Sequence, residues 1–148
     1  MKLVLFAKHL KSLDADALTR EAEAAGIEGY DLPLRKGFAI TPDNVDKALP
    51  KLVTALAGVG CSIPMCTGET SLADPADPAA ERILAAMTQS GIRCFKMGYF
   101  PFDPYKDDYG AAMSRARKSL AGWEKLAARH GVTVCCHTHS GYNLGSNG

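Results

Sequence analysis

Ala127-Ala128-Arg129-His130-Gly131-Val132-Thr133-Val134-Cys135-Cys136-His137-Thr138-His139 is the stretch that decides the fold. It reads as the last turn of a helix, a glycine stop, an apolar β-prone strand and a polar tip. Glycine has no Cβ to clash at positive φ, so it readily takes the left-handed conformation that ends many helices. The same join occurs three more times, at Ala25-Gly26-Ile27, Val59-Gly60-Cys61 and Ser90-Gly91-Ile92. The spacing is roughly 30 to 40 residues, the length of one strand–helix unit.

Working outward, strand one is expected over Lys2 to Ala7 and helix one over Asp14 to Ala25, with Leu18, Ala22 and Ala25 on one face. Strand two follows over Ile27 to Leu32. Helix two runs near Asn44 to Gly58, where Val45, Leu49, Leu52, Val53 and Leu56 recur at helical spacing. Strand three is Ser62 to Cys66. Asp77-Pro78 starts helix three as N-cap and first helical residue, and Ile83, Leu84 and Met87 supply its buried face. Strand four is Arg93 to Met97, helix four is near Asp108 to Arg129, and strand five is Val132 to His137, followed by the loop Thr138 to Gly148.

Strict alternation implies parallel strands with right-handed crossovers. Two architectures satisfy it, a TIM-type (β/α) barrel and an open doubly wound sheet. The open sheet calls for a glycine-rich phosphate loop after strand one. That turn reads Lys8-His9-Leu10-Lys11-Ser12-Leu13, with no glycine, which also speaks against a nucleotide cofactor. A complete barrel needs about 250 residues, whereas this chain has 148 and closes on a strand and loop. The expectation is a single α/β domain over residues 1–148, a parallel barrel truncated after its fifth strand, with the open sheet as the alternative.

The net charge is +1, with acidic and basic residues interleaved and no Lys/Arg stripe to suit a nucleic acid. Apolar runs such as Leu3 to Ala7 are too short to span a bilayer. The opening Met1-Lys2-Leu3-Val4-Leu5-Phe6 lacks the long apolar region of a signal peptide. Five cysteines, an odd number set mostly in strand-like runs, suit free thiols in a reducing cytoplasm.

In parallel α/β folds the site lies at the carboxyl ends of the strands. Those ends supply Lys8 and His9; Asp31 and Arg35; Cys66, Thr67 and Glu69; Lys96, Tyr99 and Asp103; and His137 and His139. Alternate residues of a strand share a face, so Cys135, His137 and His139 can point inward together. Two imidazoles so spaced can hold a divalent metal, or one can hold substrate while the other orients it; the alternative is a polar plug bonded to backbone. Lys8 and His9 are adjacent, so only one can face the centre. Lys96 in an apolar strand needs a partner, either an anionic substrate group or an ion pair with Asp31 or Glu69. Asp31 and Arg35 serve either a hydroxylated ligand or a surface salt bridge. His130 suits the negative end of helix four and is structural. The aromatic run Tyr99-Phe100-Pro101-Phe102 with Tyr105 is expected as a loop over the barrel mouth.

Three segments together resemble one family. They are Leu5-Phe6-Ala7-Lys8-His9-Leu10; Gly29-Tyr30-Asp31-Leu32-Pro33-Leu34-Arg35-Lys36-Gly37 with Thr41-Pro42-Asp43-Asn44-Val45; and His139-Ser140-Gly141. In order along the whole chain, they look like sugar phosphate isomerase/epimerase-type proteins of the xylose isomerase-like TIM-barrel superfamily, which also holds the endonuclease-IV-type repair enzymes. The resemblance implies an eight-stranded barrel with divalent metal (Mn, Mg, Zn or Co) at the carboxyl face. It also implies metal-assisted proton transfer next to a sugar carbonyl. Under it, Glu69, His137 and Lys96 are the catalytic candidates. Lys8, His9, Asp31, Arg35 and Tyr99 would bind substrate, and His137 and His139 would bind metal.

The chain departs from the family pattern in three places. His137 stands where the fifth strand of many such isomerases ends in a metal-binding Glu. Phe38-Ala39 occupies a loop that often carries a His. The remaining ligands of the family come from strands six to eight, outside this sequence. The expected function is therefore a sugar or sugar phosphate isomerase or epimerase of which this chain is the amino-terminal portion, inactive alone and forming homo-oligomers. The alternatives are an endonuclease-IV-type relative, disfavoured by near-neutral charge, and a non-catalytic half-barrel that self-associates through its open edges.

Overall fold

Nine principal elements alternate between strand and helix in the computed structural model, which describes residues 2–139 and 141–145. They are β1 (Val4–Phe6), α1 (Ala15–Ala25), β2 (Gly29–Pro33), α2 (Val45–Gly58), β3 (Ser62–Thr67), α3 (Pro78–Gln89), β4 (Cys94–Lys96), α4 (Tyr109–His130) and β5 (Thr133–Cys135). All four strand pairings are parallel, and the sheet order is β1-β2-β3-β4-β5. Each strand lies beside its predecessor, which is the order of a barrel. A doubly wound sheet reverses direction at a switch point, and no reversal occurs, so the open-sheet alternative is set aside. Ser140, inside one of the motifs quoted above, and residues 146–148 of the final loop lie outside the described residues.

The helix ends follow from local chemistry. Asp14, Asp77 and Asp108 each cap a helix by accepting a hydrogen bond from a first-turn amide, those of Ala17, Ala79 and Ala111. At the other ends Gly26 and Gly131 sit at φ 62° and 60°, where a side chain would be strained. Gly60 and Gly91 also take positive φ, so all four joins are turned by the same device.

The core lies between the sheet and the helices. Tyr30 and Leu32 of β2, Cys66 of β3 and Phe95 of β4 bury themselves against Leu49, Leu52 and Leu56 of α2, Ile83, Leu84 and Met87 of α3, and Trp123 and Leu126 of α4. Each such side chain contributes about 1.5–3 kcal/mol of burial. Leu18 and Ala22 of α1 join this core, whereas Ala25 is exposed. Trp123 packs on Phe95 with ring centroids 5.8 Å apart, and its indole N–H donates to the Ala73 carbonyl at 2.9 Å. The opposite face of the sheet is open, and it carries the polar residues discussed below. No helix among the described residues is long and apolar enough to cross a membrane.

Two strand boundaries differ from expectation. The first strand is only Val4–Phe6, because the chain turns at once into a 3-10 helix over Ala7–Leu10. The fifth ends at Cys135 rather than His137. Its partner β4 stops at Lys96, and the last ladder bond runs from the Met97 amide to the Cys135 carbonyl at 3.1 Å. His137 and His139 therefore stand on a loop beyond the strand.

Candidate functional site

A cleft of about 550 Å³ opens on the uncovered face at the carboxyl ends of the strands, a volume ordinary for a small-molecule site. Lys8, Asp31, Arg35, Lys96, Tyr99, His137 and His139 line it, together with Phe6, Met65, Thr70, Cys135 and Asn143. Contributions thus come from the tips of all five strands or the turns after them.

Register explains why these side chains meet. Phe6 lies opposite Asp31, Asp31 opposite Met65, Thr67 opposite Lys96, and Lys96 opposite Cys135. A register shift between Gly29 and Asp31 seats the latter beside Met65 and within reach of Thr67. Thr67 is fully buried, and its hydroxyl donates to Asp31 Oδ1 at 2.7 Å. Burial pushes the Asp31 carboxyl above the usual carboxylate range, opposed by the Thr67 hydrogen bond and then by the charges of Lys96 and Arg35.

Lys96 finds its partner in the loop that follows. Its ammonium donates to the Tyr99 hydroxyl at 3.2 Å and lies 4.5 Å from the centre of that ring. The Tyr99 ring also meets His139, with centroids 4.8 Å apart, and His137 at 6.3 Å. The two imidazoles are 5.9 Å apart and nearly perpendicular, and both are exposed. Tyr99 is held in place by backbone: its amide donates to the Thr70 carbonyl and that of Gly98 to the Leu72 carbonyl, at 2.8 and 2.7 Å. A Cβ on Gly98 would lie 2.6 Å from the Leu72 amide nitrogen and the Thr70 carbonyl oxygen, so only glycine permits this approach.

Several expectations are corrected. Lys96 forms no ion pair with Asp31 or Glu69, and Asp31 forms none with Arg35; the ion pairs among the described residues lie elsewhere. Arg35 instead turns its Nε to the Gly68 carbonyl at 2.8 Å. The Glu69 carboxylate accepts from the Lys36 amide at 2.5 Å and does not line the cleft. His9 is exposed and outside the cleft, because one residue along a 3-10 turn rotates the side chain by a third of a circle. Lys8 is the neighbour that faces in. Asp103 pairs with Lys106 at 3.1 Å. Of the aromatic run only Tyr99 reaches the cleft; Tyr105 is 87% exposed, and Phe100 to Phe102 pair with Tyr142 to Leu144.

His130 is structural, as expected: its ring nitrogen meets Glu81 at 2.6 Å and its carbonyl accepts from Thr88. Sequence reasoning placed Thr67 at a strand end without a role. The signal was there in the parallel pairing of β2 and β3, which puts Thr67 on the same face as Asp31.

Cys94 and Cys135, on adjacent strands, bring their sulfurs to 3.5 Å. The Cys94 thiol is pushed up to about 11 by burial and then by its Cys135 neighbour.

The divalent metal that the resemblance implies finds no complete site in these residues. Among the described residues no group of three or more His, Cys, Asp or Glu side chains is placed to hold a metal ion. The Asp31 oxygen is engaged by Thr67, and the cationic Lys96 bears on the same carboxylate. This donor set does not by itself fit a metal.

No protein-family model matches the chain, and no curated protein does. Solved structures do. A putative xylose isomerase from Rhodospirillum rubrum is 14% identical with a TM-score of 0.73, over 97% of this chain and 56% of its own. D-psicose 3-epimerase from Clostridium cellulolyticum H10, solved with D-tagatose, is 15% identical with a TM-score of 0.67, over 93% and 52%. A 3-keto-D-glucoside 4-epimerase from E. coli is 17% identical with a TM-score of 0.63, over 96% and 57%. The structural neighbours are thus sugar epimerases and isomerases, and this chain spans about half the length of each. Over the half of each that it covers, the chain shares the parallel (β/α) barrel fold of these structures.

Proposed function

We propose that the cleft binds a sugar phosphate and serves an isomerase or epimerase reaction, a proton transfer on the carbon next to the sugar carbonyl. The observation that carries this reading is the charge of the lining. Lys8, Arg35 and Lys96 contribute three fixed cations, against Asp31 as the single carboxylate. Such a wall favours an anionic polyol over a neutral one. The sugar chemistry of the structural neighbours supports the same class.

The residues divide the work by position. Lys8 and Arg35, near the rim from β1 and β2, hold the phosphate. Lys96 and the Tyr99 hydroxyl face the carbonyl oxygen, where a pre-placed ammonium stabilises the charge that develops as the neighbouring proton leaves. Asp31, its carboxyl raised by burial, takes and returns that proton. His137 and His139 bind hydroxyls. Glu69 could act as acid or base only after leaving the Lys36 amide, so Asp31 takes the role in its place. Because the donor set does not fit a metal, no step runs through one; a metal held at His137 and His139 would draw further ligands from outside the described residues. The free thiols suit a reducing, cytoplasmic setting.

Titration calorimetry with D-fructose 6-phosphate and with D-fructose tests the reading. The phosphate ester is expected to bind at least roughly tenfold tighter, and Lys8→Gln to abolish most of that difference, since a hydrogen bond to a charge contributes about 1.5–3 kcal/mol. Equal affinity for the two sugars would refute it.

A second reading, a half-barrel that self-associates, is favoured by one observation. Leu3, just before the edge strand, and Val4, Leu5 and Phe6 within it are 62%, 43%, 39% and 37% exposed, and a bare apolar edge is a template for pairing.

A further inference from the structure

We infer that Cys94 and Cys135 form a reversible dithiol–disulfide site at the wall of the cleft, which Cys135 lines, independent of whether the cleft takes a sugar. The pairing of β4 with β5 sets Cys94 opposite Thr133 and Lys96 opposite Cys135. Residues two apart on a strand share a face, so both thiols project to the open side of the sheet. Their sulfurs are already 3.5 Å apart. A disulfide needs about 2.05 Å, so closing it takes a movement of about 1.5 Å, and because the two cysteines are offset by two residues in the register, the strands move as well as the side chains. The β5 strand has three residues, and its far edge carries no further strand among the described residues, so it can follow.

The other thiols are poorly placed to compete. Cys61 and Cys66 are 3% and 0% exposed in the core. Cys136 is exposed but projects to the other side of the sheet, beside Val134 and Trp123. Cys94 and Cys135 are both half-buried, but of the two only Cys135 lines the cleft, so it is the one that an oxidant entering the cleft meets, with Cys94 as the resolving partner.

The oxidant is a hydroperoxide. The Cys135 sulfur attacks one peroxide oxygen, the O–O bond breaks, and a sulfenic acid forms with release of one water. The Cys94 sulfur then attacks the sulfenic sulfur, the S–O bond breaks, and a second water leaves with the Cys94 proton. Two thiols lose two electrons and two protons, and hydrogen peroxide becomes two waters. The bond ties β4 to β5 directly beneath Lys96 and withdraws the Cys135 sulfur from the cleft wall.

The test treats the 148-residue chain with hydrogen peroxide, blocks remaining thiols by alkylation and reads intact mass and tryptic peptides. Alkylatable thiols are expected to fall from five to three, with loss of two hydrogens and full reversal by dithiothreitol. The tripeptide Cys94-Phe95-Lys96 should be linked to the peptide over residues 130–148. The same link should form in Cys136→Ser and be lost in Cys135→Ser and Cys94→Ser. A link that vanishes in Cys136→Ser, a vicinal Cys135–Cys136 disulfide, a disulfide between two chains, or oxidation to sulfinic acid without any link would overturn the inference. Should the Cys94 or Cys135 variant fail to fold, the peptide map of the wild type and of Cys136→Ser decides alone.

Discussion

Thr67 donates its hydroxyl hydrogen to Asp31 across the seam between β3 and β2, at 2.7 Å, from a fully buried residue to a half-buried carboxylate. The bond favours the ionised carboxylate, while burial favours the neutral acid more strongly, so the net displacement is upward. Thr67→Val removes the donor at nearly constant volume. The Asp31 carboxyl should then titrate at still higher pH, read as the side-chain carbon shift in an NMR titration. An unchanged or lower midpoint would show that Thr67 does not bear on the carboxylate.

The same displacement has a consequence for stability. A carboxyl whose folded pKa lies above its unfolded value binds more protons when folded, so its contribution is favourable at low pH. That contribution is lost as pH rises through the folded value. Asp31→Asn should therefore raise the melting temperature at neutral pH relative to wild type, with the gain shrinking in acid. A variant less stable than wild type at pH 7 would contradict the sign.

Gly98 is required by space. Its missing Cβ leaves room for the Leu72 amide and the Thr70 carbonyl, and the two hydrogen bonds of this approach aim Tyr99 at Lys96. Gly98→Ala should cost about 1–3 kcal/mol in denaturant unfolding and perturb the Tyr99 ring resonances. A neutral substitution would mean that the loop has another conformation of equal energy.

Trp123 ties α4 to the sheet through Phe95 and through its bond to Ala73. Trp123→Ala should cost about 3–5 kcal/mol, measured by chemical unfolding. Ser119→Ala removes only a second donor to the same carbonyl and should cost about 1 kcal/mol. Similar losses for both would mean that the indole packs less well than its burial implies.

The exposed run from Leu3 to Phe6 predicts concentration-dependent association. Sedimentation equilibrium should report a mass above 15.7 kDa that falls on dilution, and Leu5→Lys should shift the chain toward monomer. A monomer at all concentrations would exclude the self-associating reading.

Much of this architecture was legible in the sequence, because it rests on devices that act locally. An aspartate opening a helix and a glycine closing it act within one turn, and Asp77, Asp108, Gly26 and Gly131 do what their positions imply. The glycine-free turn after β1 correctly favoured the barrel over the open sheet. Side-chain alternation put Asp31 and Lys96 on the open face, and the position of the site at the carboxyl ends of the strands gathered Tyr99, His137 and His139, from the loops that follow, to the same cleft.

What was not legible depends on choices made after the backbone is placed. Glu69 and Arg35 sit at strand ends as expected, yet one turns to the Lys36 amide and the other to the Gly68 carbonyl. Those backbone partners come from neighbouring loops whose paths no periodicity encodes. His137 was read as strand because apolar and alternating residues lead up to it; β5 stops earlier because its partner does. Lys96 found a tyrosine three residues on rather than a carboxylate, a pairing set by the Gly98 turn.

The most direct measurement is a proton–nitrogen NMR map of the chain titrated with D-fructose 6-phosphate. Binding in the cleft predicts shifts concentrated at Lys8, Asp31, Thr67, Lys96, Tyr99 and His137, with the helix face around Leu52 and Leu84 unmoved. Shifts confined to the helices, or no saturable shift at any of those six positions, would contradict it.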